Sequence, residues 1–240
     1  MPQRRPSSAR WLQEHRDDPY VAAAKRDGYR SRAAYKLLEL QTFPKEHRHP
    51  GMASGLLIQP GMTVVDLGAA PGGWTQVATQ LVGPRGRVVA ADILPFAPVA
   101  GAEIIVGDFL DETVARQIEA ALGVSGQAQV ILSDMAPNMS GIPCVDQARG
   151  ELLAEMALQF AETTLCPGGS LVLKVFQGSS FHTIVSQARL LFARVKLIKP
   201  RASRDRSSEQ YLLGLGFHRS SSTPNTIGDR HADHSAGLDI

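Results

Sequence analysis

Val64-Val65-Asp66-Leu67-Gly68-Ala69-Ala70-Pro71-Gly72-Gly73-Trp74-Thr75-Gln76 is the stretch that decides the fold of this 240-residue chain. In this stretch, β-branched residues are followed by one acidic residue, Asp66, and then by a turn of small residues. This order predicts a buried parallel strand, a tight loop and the start of a helix. Ligands of doubly wound sheets bind outside the carboxyl end of such a strand. We therefore expect Asp66, Gly68, Gly72 and Gly73 to line a ligand site.

The glycine loop differs from the dinucleotide fingerprint GxGxxG, because Ala70 stands at the second glycine position and the glycines come late. Asp66 would repel a pyrophosphate, so a dehydrogenase is disfavoured. A cationic, phosphate-free cofactor fits better, and S-adenosylmethionine, with its sulfonium and ammonium groups, has that chemistry. Methyl transfer is the resulting hypothesis. The alternative is that the pattern marks only a strand and turn of any doubly wound sheet.

Composition favours one α/β domain with tails, since 43% of the residues are hydrophobic and the chain can bury one sizeable core. Cys144 and Cys166 are isolated, which predicts a reducing compartment and no metal site. The N-terminus is basic, and no apolar run approaches the roughly 20 residues that span a bilayer. We expect a cytoplasmic monomer without a membrane segment.

Charge is distributed unevenly although the net charge is only +2. Residues 1–40 contain nine Lys/Arg and five Asp/Glu, and residues 191–219 contain seven and two, whereas residues 41–190 contain eight and thirteen. If the fold brings the two basic segments together, they form a face suited to a phosphate backbone, and the acidic middle suits a cationic cofactor. Two ordinary solvated surfaces are the alternative interpretation.

Four successive predicted strands end at an aspartate: Asp66, Asp92, Asp108 and Asp134. The predicted strands are 62–66, 87–91, 103–106 and 129–133, followed by 170–176, 195–198 and 209–216. A single strand-end aspartate is usually a cap or turn residue, but four at equivalent ends predict one shared crevice. Asp92 follows Gly68 by 24 residues, where such folds hold the ribose hydroxyls of an adenosine.

Lys174 interrupts the apolar fifth strand, which indicates a functional lysine because burying an unpaired ammonium is costly. The last two strands are joined without a helix, which favours an antiparallel ending. We thus predict a Rossmann-like α/β fold, a seven-stranded, mostly parallel sheet with a C-terminal antiparallel strand. The loop between these strands should bring Arg201, Arg204 and Arg206 near the site.

The chain divides into a basic N-terminal arm over residues 1–28, a domain over 29–217 and a polar, disordered tail over 218–240. Within the domain, helices are predicted over 32–41, capped by Ser31, and over 74–81, 151–165 and 180–192. A long exposed connection is expected over 42–60. Lys36 lies off the apolar stripe of its helix, so its position alone indicates a solvated lysine.

Five separated stretches carry a family resemblance: Ser31-Arg32-Ala33-Ala34-Tyr35-Lys36-Leu37, Val65 to Trp74, Ser133-Asp134-Met135-Ala136-Pro137-Asn138, Leu173-Lys174-Val175-Phe176-Gln177-Gly178 and Ser207-Ser208-Glu209-Gln210-Tyr211. Together they resemble the FtsJ/RrmJ (RlmE) family of ribosomal RNA ribose 2'-O-methyltransferases over about residues 20–217. The resemblance implies a catalytic tetrad of Lys36, Asp134, Lys174 and Glu209. It also implies S-adenosylmethionine contacts at Gly72, Trp74, Asp92, Asp108 and Asp134.

The substrate implied by the resemblance is a uridine ribose of 23S rRNA in the large ribosomal subunit. Thr42 to Gly55 is longer than the family's usual connection, and the tail after His218 has no counterpart in it. An RNA-binding assembly factor with incidental methylation, a methyltransferase of another RNA such as tRNA or an mRNA cap, and a small-molecule methyltransferase are the alternatives. Whether Lys174 accepts a proton or only orients a hydroxyl group stays open at this point.

Overall fold

One seven-stranded sheet organises the protein in the computed structural model, which describes residues 17–42, 57–138, 140–204 and 207–218. The sheet order is β3-β2-β1-β4-β5-β7-β6. Its strands are β1 (Thr63–Leu67), β2 (Arg87–Asp92), β3 (Ala102–Val106), β4 (Ala128–Ser133), β5 (Leu165–Phe176), β6 (Phe192–Ile198) and β7 (Glu209–Phe217). The first five strands pair in parallel, and β7 runs antiparallel to both β5 and β6. The predicted fold class is confirmed.

Helices cover both faces of this sheet. They are α1 (Pro19–Arg26), α2 (Ala33–Gln41), α3 (Gly73–Val82), α4 (Glu112–Ala121), α5 (Pro143–Thr164) and α6 (Phe181–Leu191). The apolar side chains of α2 and α3 pack into one core cluster with the sheet, and those of α4, α5 and α6 pack into the other. Near-continuous apolar strands such as β4 are buried on both faces for this reason.

Several elements differ from the sequence-based expectation, among them β6, which begins at Phe192 rather than Val195. Helix α5 begins at Pro143 rather than Glu151, because proline fits the first helical position and Asp146 lies in the first turn. Strand β5 begins at Leu165, so Cys166 to Gly169 belong to the strand, next to a register irregularity against β4. Helix α4 was not predicted, although Asp111 caps it and its apolar residues face the core.

Part of the predicted N-terminal arm is folded. Asp18 caps α1 by accepting a hydrogen bond from the main-chain N–H of Tyr20, and Ala24 is buried. Ser31, the predicted cap of α2, makes no such bond, and its hydroxyl group is buried without a partner. Residues 1–16, 43–56 and 219–240, which include most of the predicted connection and tail, lie outside the described residues. The division into arm, domain and tail stays a prediction.

Two properties concern the described residues as a whole. None of the helices described here is long and apolar enough to cross a bilayer. Within the same residues, no cluster of three His, Cys, Asp or Glu side chains is arranged to hold a metal ion.

Leu132→Ala should lower the free energy of unfolding by about 2–5 kcal/mol, because Leu132 is fully buried in the central strand and truncation leaves a cavity. The matched control is Leu190→Ala, since Leu190 is 71% exposed and its truncation should change stability by only about 0.5 kcal/mol. Urea unfolding of both variants measures the difference. Equal losses would contradict the assignment of β4 to the core.

Candidate active site

The loop between β1 and α3 lies at the carboxyl edge of the sheet and passes very close to the segment that follows β4. Gly68 has φ +75°, and a Cβ atom there would lie 2.9 Å from the main-chain Cα of Met135. Gly72 has φ +98° immediately before α3 begins. Only glycine adopts these conformations without strain, so the predicted small-residue loop is required by its geometry. The free N–H groups at the start of α3 open onto this edge.

Asp66 lies beneath this loop and is completely buried. Its Oδ2 atom accepts a hydrogen bond from the Thr75 hydroxyl group at 2.7 Å, whereas its Oδ1 atom has no partner. Burial raises the pKa of Asp66 to about 7, and the nearby charges of Asp134 and Asp92 contribute to the increase. Asp66 thus supports the ligand crevice from below and is protonated much more readily than an ordinary aspartate.

Asp92 is the last residue of β2 and Asp108 follows β3 by two residues, and both organise loops. Asp92 Oδ2 accepts from the main-chain N–H of Ala70 at 2.8 Å, and its Oδ1 accepts from Leu94 N–H at 2.8 Å. Asp108 Oδ1 accepts from Leu110 N–H at 3.0 Å, and the residue is exposed. Since a carboxylate oxygen can accept a second hydrogen bond, both groups retain capacity for a ligand hydroxyl.

Trp74, whose position was expected to contact a cofactor, places its side chain inside the protein. The indole N–H donates to the Ala33 main-chain oxygen at 2.7 Å, and its ring lies against Tyr211 with centroids 5.6 Å apart. The side chain is nearly fully buried. A ligand contact at this position therefore has to use the main-chain N–H of α3, while the side chain attaches α2 to α3.

The four predicted catalytic side chains meet at the carboxyl edge of β4 and β5. Lys174 Nζ lies 2.8 Å from Asp134 Oδ1 and donates to the Asp134 main-chain oxygen at 2.7 Å. Lys36 Nζ lies 2.7 Å from Glu209 Oε1. Tyr211 connects the two pairs, because its hydroxyl group donates to Asp134 Oδ1 at 2.5 Å and accepts from Lys36 at 3.1 Å. We call these five side chains the lysine–carboxylate network.

The electrostatics of the network keep its carboxylates ionised. Burial alone would raise the pKa of Asp134, but the charges of Lys174 and Lys36 hold it below the ordinary value. The same balance lowers the pKa of Glu209, where burial is outweighed mainly by Lys36. The pKa of Tyr211 is raised well above its ordinary value by burial and by the Asp134 and Glu209 charges. Tyr211 thus remains a neutral donor and acceptor between two ion pairs.

Lys36 lies in an environment that differs from the one its helical pattern predicts. Its position off the apolar stripe predicted a solvated side chain, but the residue is only 9% exposed. The Lys36 ammonium group contacts Glu209 and Tyr211, both in β7. Tyr211 lies 175 residues from Lys36 in the sequence. Helical periodicity could not reveal a partner at that separation, whereas the family resemblance did.

Tyr211 is a site residue that no sequence argument assigned a role. It is fully buried and directly opposite Lys174 in the antiparallel pairing of β5 with β7. A tyrosine two residues after a glutamate at the start of a strand lies on the same face of that strand. This spacing, Glu209 to Tyr211, is the signal that could have identified it.

Two further carboxylates, both on α5, hold the loops that follow β4 and β5. Asp146 accepts from the main-chain N–H groups of Ser140 and Gly141 at 2.6 and 3.1 Å. Glu151 accepts from the Ser180 N–H at 3.0 Å and from the Ser179 hydroxyl group at 3.1 Å. Asp146 precedes the helix predicted over 151–165, so its anchoring role was missed. Helix α5 fixes the segments adjoining Asp134 and Lys174.

The arginines of the β6–β7 loop, residues 199–208, have different environments. Arg204 Nε lies 3.6 Å from the carboxylate of Asp18, so this side chain faces an internal acid. Arg201 is exposed. Arg206 lies outside the described residues. The expectation that this loop brings the three arginines near the site stays a prediction.

Comparisons with known proteins agree with this geometry. The model of the FtsJ-like methyltransferase family matches residues 29–217. A relative from Magnetococcus marinus, named ribosomal RNA large subunit methyltransferase E, is 56% identical over 217 residues, which cover 90% of this chain and 99% of the relative. A protein of the same name from Pseudomonas paraeruginosa is 49% identical over 211 residues, covering 88% of this chain and 96% of the relative.

Solved structures show the same fold at greater distance. A chain described as a ribosomal RNA methyltransferase from Plasmodium falciparum has a TM-score of 0.64 at 24% identity, covering 79% of this chain and 98% of its own. Fibrillarin from Aeropyrum pernix, solved with natively bound S-adenosyl-L-methionine, has a TM-score of 0.51 at 16% identity and covers 76% of each chain.

The buried Asp66 generates a prediction about the pH dependence of stability. Below about pH 4 Asp66 is protonated in both the folded and the unfolded state and contributes no difference. Between about pH 4 and pH 7, Asp66 is ionised in the unfolded chain but still protonated in the folded protein. Folding stability therefore falls as the pH rises through this range. For a folded pKa of about 7, the total loss is about 4 kcal/mol.

Asp66→Asn removes this titration. The unfolding free energy of the variant minus that of the parent should therefore rise from pH 4 to 7 and level off above pH 7. Urea unfolding of both proteins at four pH values measures this difference. The contributions of the other titrating groups are the same in both proteins and cancel in the difference. A difference that does not change with pH would mean that Asp66 is ionised in the folded state.

Proposed function

Because the chain belongs to the FtsJ-like methyltransferase family, we propose that it transfers a methyl group from S-adenosylmethionine to the ribose 2'-hydroxyl of a uridine in 23S rRNA. The observation that carries the proposal is the lysine–carboxylate network beside the glycine loop. A cofactor crevice and a paired set of lysines at one sheet edge supply the two requirements of hydroxyl methylation. These are a methyl donor held by the fold and charged groups that orient a weak nucleophile.

The crevice has the chemistry of a site for S-adenosylmethionine. Asp66 contributes an unpartnered buried oxygen beneath the loop, and Asp92 and Asp108 contribute carboxylates along its side. Such an acidic setting suits sulfonium and ammonium groups and disfavours phosphates. The N–H groups at the start of α3 suit a carboxylate. When bound, S-adenosylmethionine supplies a methyl group on a sulfonium sulfur, which a ribose 2'-oxygen takes as the sulfur–carbon bond breaks.

Lys174 orients the ribose hydroxyl in this proposal. Its ammonium group has three donors, of which two are directed to the carboxylate and main-chain oxygens of Asp134. The third N–H is left for the 2'-oxygen. Because Lys174 is paired with Asp134, we infer that it acts mainly as a charged positioning group. The hydroxyl proton passes to solvent water late, after the oxygen has begun to bond to the methyl carbon.

Lys36 and Glu209 define the opposite side of the substrate position. Lys36 is paired with Glu209, and it also donates to the Tyr211 hydroxyl group, which in turn donates to Asp134. This arrangement fixes the direction of the Asp134 carboxylate and therefore of Lys174. We infer that the Lys36–Glu209 pair contributes through the network, while Lys174 contacts the reacting hydroxyl.

The partner is ribosomal RNA, and the names of the Magnetococcus and Pseudomonas relatives support this class of substrate. We further propose the assembled large subunit as the substrate and a cytoplasmic, monomeric enzyme. The segments before residue 41 and after residue 190 carry an excess of Lys and Arg, which suits binding to a phosphate backbone. Each phosphate contact that they make contributes to a salt dependence of RNA binding.

The proposed function is tested by incubating the protein with tritiated S-adenosylmethionine and purified large ribosomal subunits, followed by nuclease digestion and nucleoside analysis. Label in 2'-O-methyluridine is the expected result. Label in a base-methylated nucleoside, or only in protein, would overturn the assignment. Parallel reactions with tRNA and capped RNA test the alternative RNA substrates.

Lys174→Ala should lower the single-turnover rate of methyl transfer by about two to four orders of magnitude, the range expected for a positioned group at the reacting atom. Cofactor affinity, measured by calorimetry, should stay within a few fold. Lys174→Arg keeps the charge and should be faster than the alanine variant. An arginine variant no faster than alanine would contradict the charged positioning role and favour proton acceptance or strict geometry.

Tyr211→Phe removes one hydroxyl group and keeps the buried ring. Because the link between Lys36 and Asp134 is lost, the turnover rate should fall by about 10- to 100-fold, with cofactor affinity little changed. The matched control is Tyr35→Phe on α2, whose hydroxyl group donates to Asp27 on the surface and should not affect turnover. Equal activity of both variants would show that the bridge has no catalytic consequence.

A further inference from the structure

We propose that Glu39 is a positioning residue that holds the β6–β7 loop against α2, so that Lys36 meets Glu209. The inference rests on the proposed function and assigns a role to a residue outside the lysine–carboxylate network. Glu39 Oε2 accepts from the main-chain N–H of Arg201 at 2.7 Å, and Oε1 accepts from the N–H of Ala202 at 3.0 Å. One carboxylate thus binds two successive amides of the loop.

Helical geometry couples this contact to the catalytic pair. Lys36 and Glu39 are three residues apart on α2, so their side chains lie on neighbouring turns of the same side. The loop that Glu39 binds leads directly to Glu209, the first residue of β7. The Lys36–Glu209 contact therefore joins α2 to β7, and one turn further along α2 the Glu39 contacts join it to the loop that precedes β7.

The contact is half-buried, since Arg201 is exposed and Glu39 is partly exposed, whereas the next residues of the loop are buried. Ala202 is fully buried and Ser203 is only 5% exposed. The Arg32 guanidinium group donates to the Ala202 main-chain oxygen and also pairs with Asp18. Hydrogen bonds to a charged group are stronger than those between neutral groups, and losing the carboxylate leaves the amide of the buried Ala202 without its acceptor.

The placement of α2 depends on contacts of this kind. Residues 43–56 separate α2 from the next described segment, so a long stretch of sequence precedes β1. In the described part of the chain, the ends of α2 are attached by the Trp74 indole to Ala33 and by the Gln41 side chain to the Ile58 main chain. Glu39 adds the contact on the side of Glu209, where Lys36 must be aligned to within a fraction of an ångström.

The test compares Glu39→Ala and Glu39→Gln in single-turnover methyl transfer to large ribosomal subunits. Alanine should lower the rate about 10- to 100-fold with cofactor affinity within about twofold. Glutamine keeps one acceptor oxygen and should restore part of the loss. Glu162→Ala, which removes an exposed carboxylate from α5, is the matched control and should match the parent. A Glu39→Ala rate equal to the parent rate would overturn the proposal.

Combination with Glu209→Ala separates positioning from a general structural role. If Glu39 acts through the Lys36–Glu209 pair, Glu39→Ala should cost little more in the Glu209→Ala background, within about twofold. A multiplicative loss would refute the proposal and indicate a separate effect on RNA binding or folding. The fraction of folded protein in each variant is obtained from the stoichiometry of cofactor binding.

A crystal structure of Glu39→Ala provides a readout that does not depend on activity. The distance from Lys36 Nζ to Glu209 Oε1, 2.7 Å here, should exceed the roughly 4 Å limit of an ion pair. If the parent does not methylate ribose, the proposed function fails while this distance still decides the role of Glu39. An unchanged ion pair in the variant would contradict the positioning role.

Discussion

Burial of two lysine side chains is the constraint on which the candidate active site of this structure depends. An ammonium group removed from water needs a carboxylate and hydrogen-bond acceptors close by, since otherwise it loses its charge or destabilises the fold. Lys174 satisfies this need with Asp134, and Lys36 satisfies it with Glu209. Tyr211 then joins the two ion pairs into one network. The antiparallel β7 is essential here, because it contributes Glu209 and Tyr211 beside Lys174.

The sequence predicts the sheet well, because fully buried parallel strands leave continuous apolar runs that few other structures produce. Strand starts and ends agree within one or two residues for β1 to β4, and the antiparallel ending of the sheet is confirmed. Lys174 could be identified because a lysine inside an apolar strand violates a local rule. Lys36 violated no such rule, and the periodicity of its helix predicted the wrong environment.

The remaining features depend on contacts between distant parts of the chain. In the sequence, Tyr211 resembles an ordinary core aromatic residue, and only the structure shows its hydrogen bonds with Lys36 and Asp134. The helical start at Pro143 was missed because the preceding residues read as a loop, and the anchoring carboxylate Asp146 was missed with it. Glu39 also depends on a distant part of the chain, because its carboxylate oxygens accept hydrogen bonds from main-chain N–H groups 162 and 163 residues away. Main-chain partners leave no side-chain signature in a sequence.

The antiparallel pairing of β7 also determines which changes in length the active site tolerates. At this edge of the sheet the parallel strands end, whereas the antiparallel β7 begins. Glu209 is therefore the first residue of β7, and Tyr211 lies two residues later on the same face. Residues added before Glu209 lengthen the β6–β7 loop and leave the strand parity of Glu209 and Tyr211 unchanged. One residue added between Glu209 and Tyr211 reverses the parity of the strand and directs one of the two side chains to the opposite face of the sheet. A change in the length of the β6–β7 loop therefore leaves these two side chains on one face, whereas an insertion within the first three residues of β7 separates them.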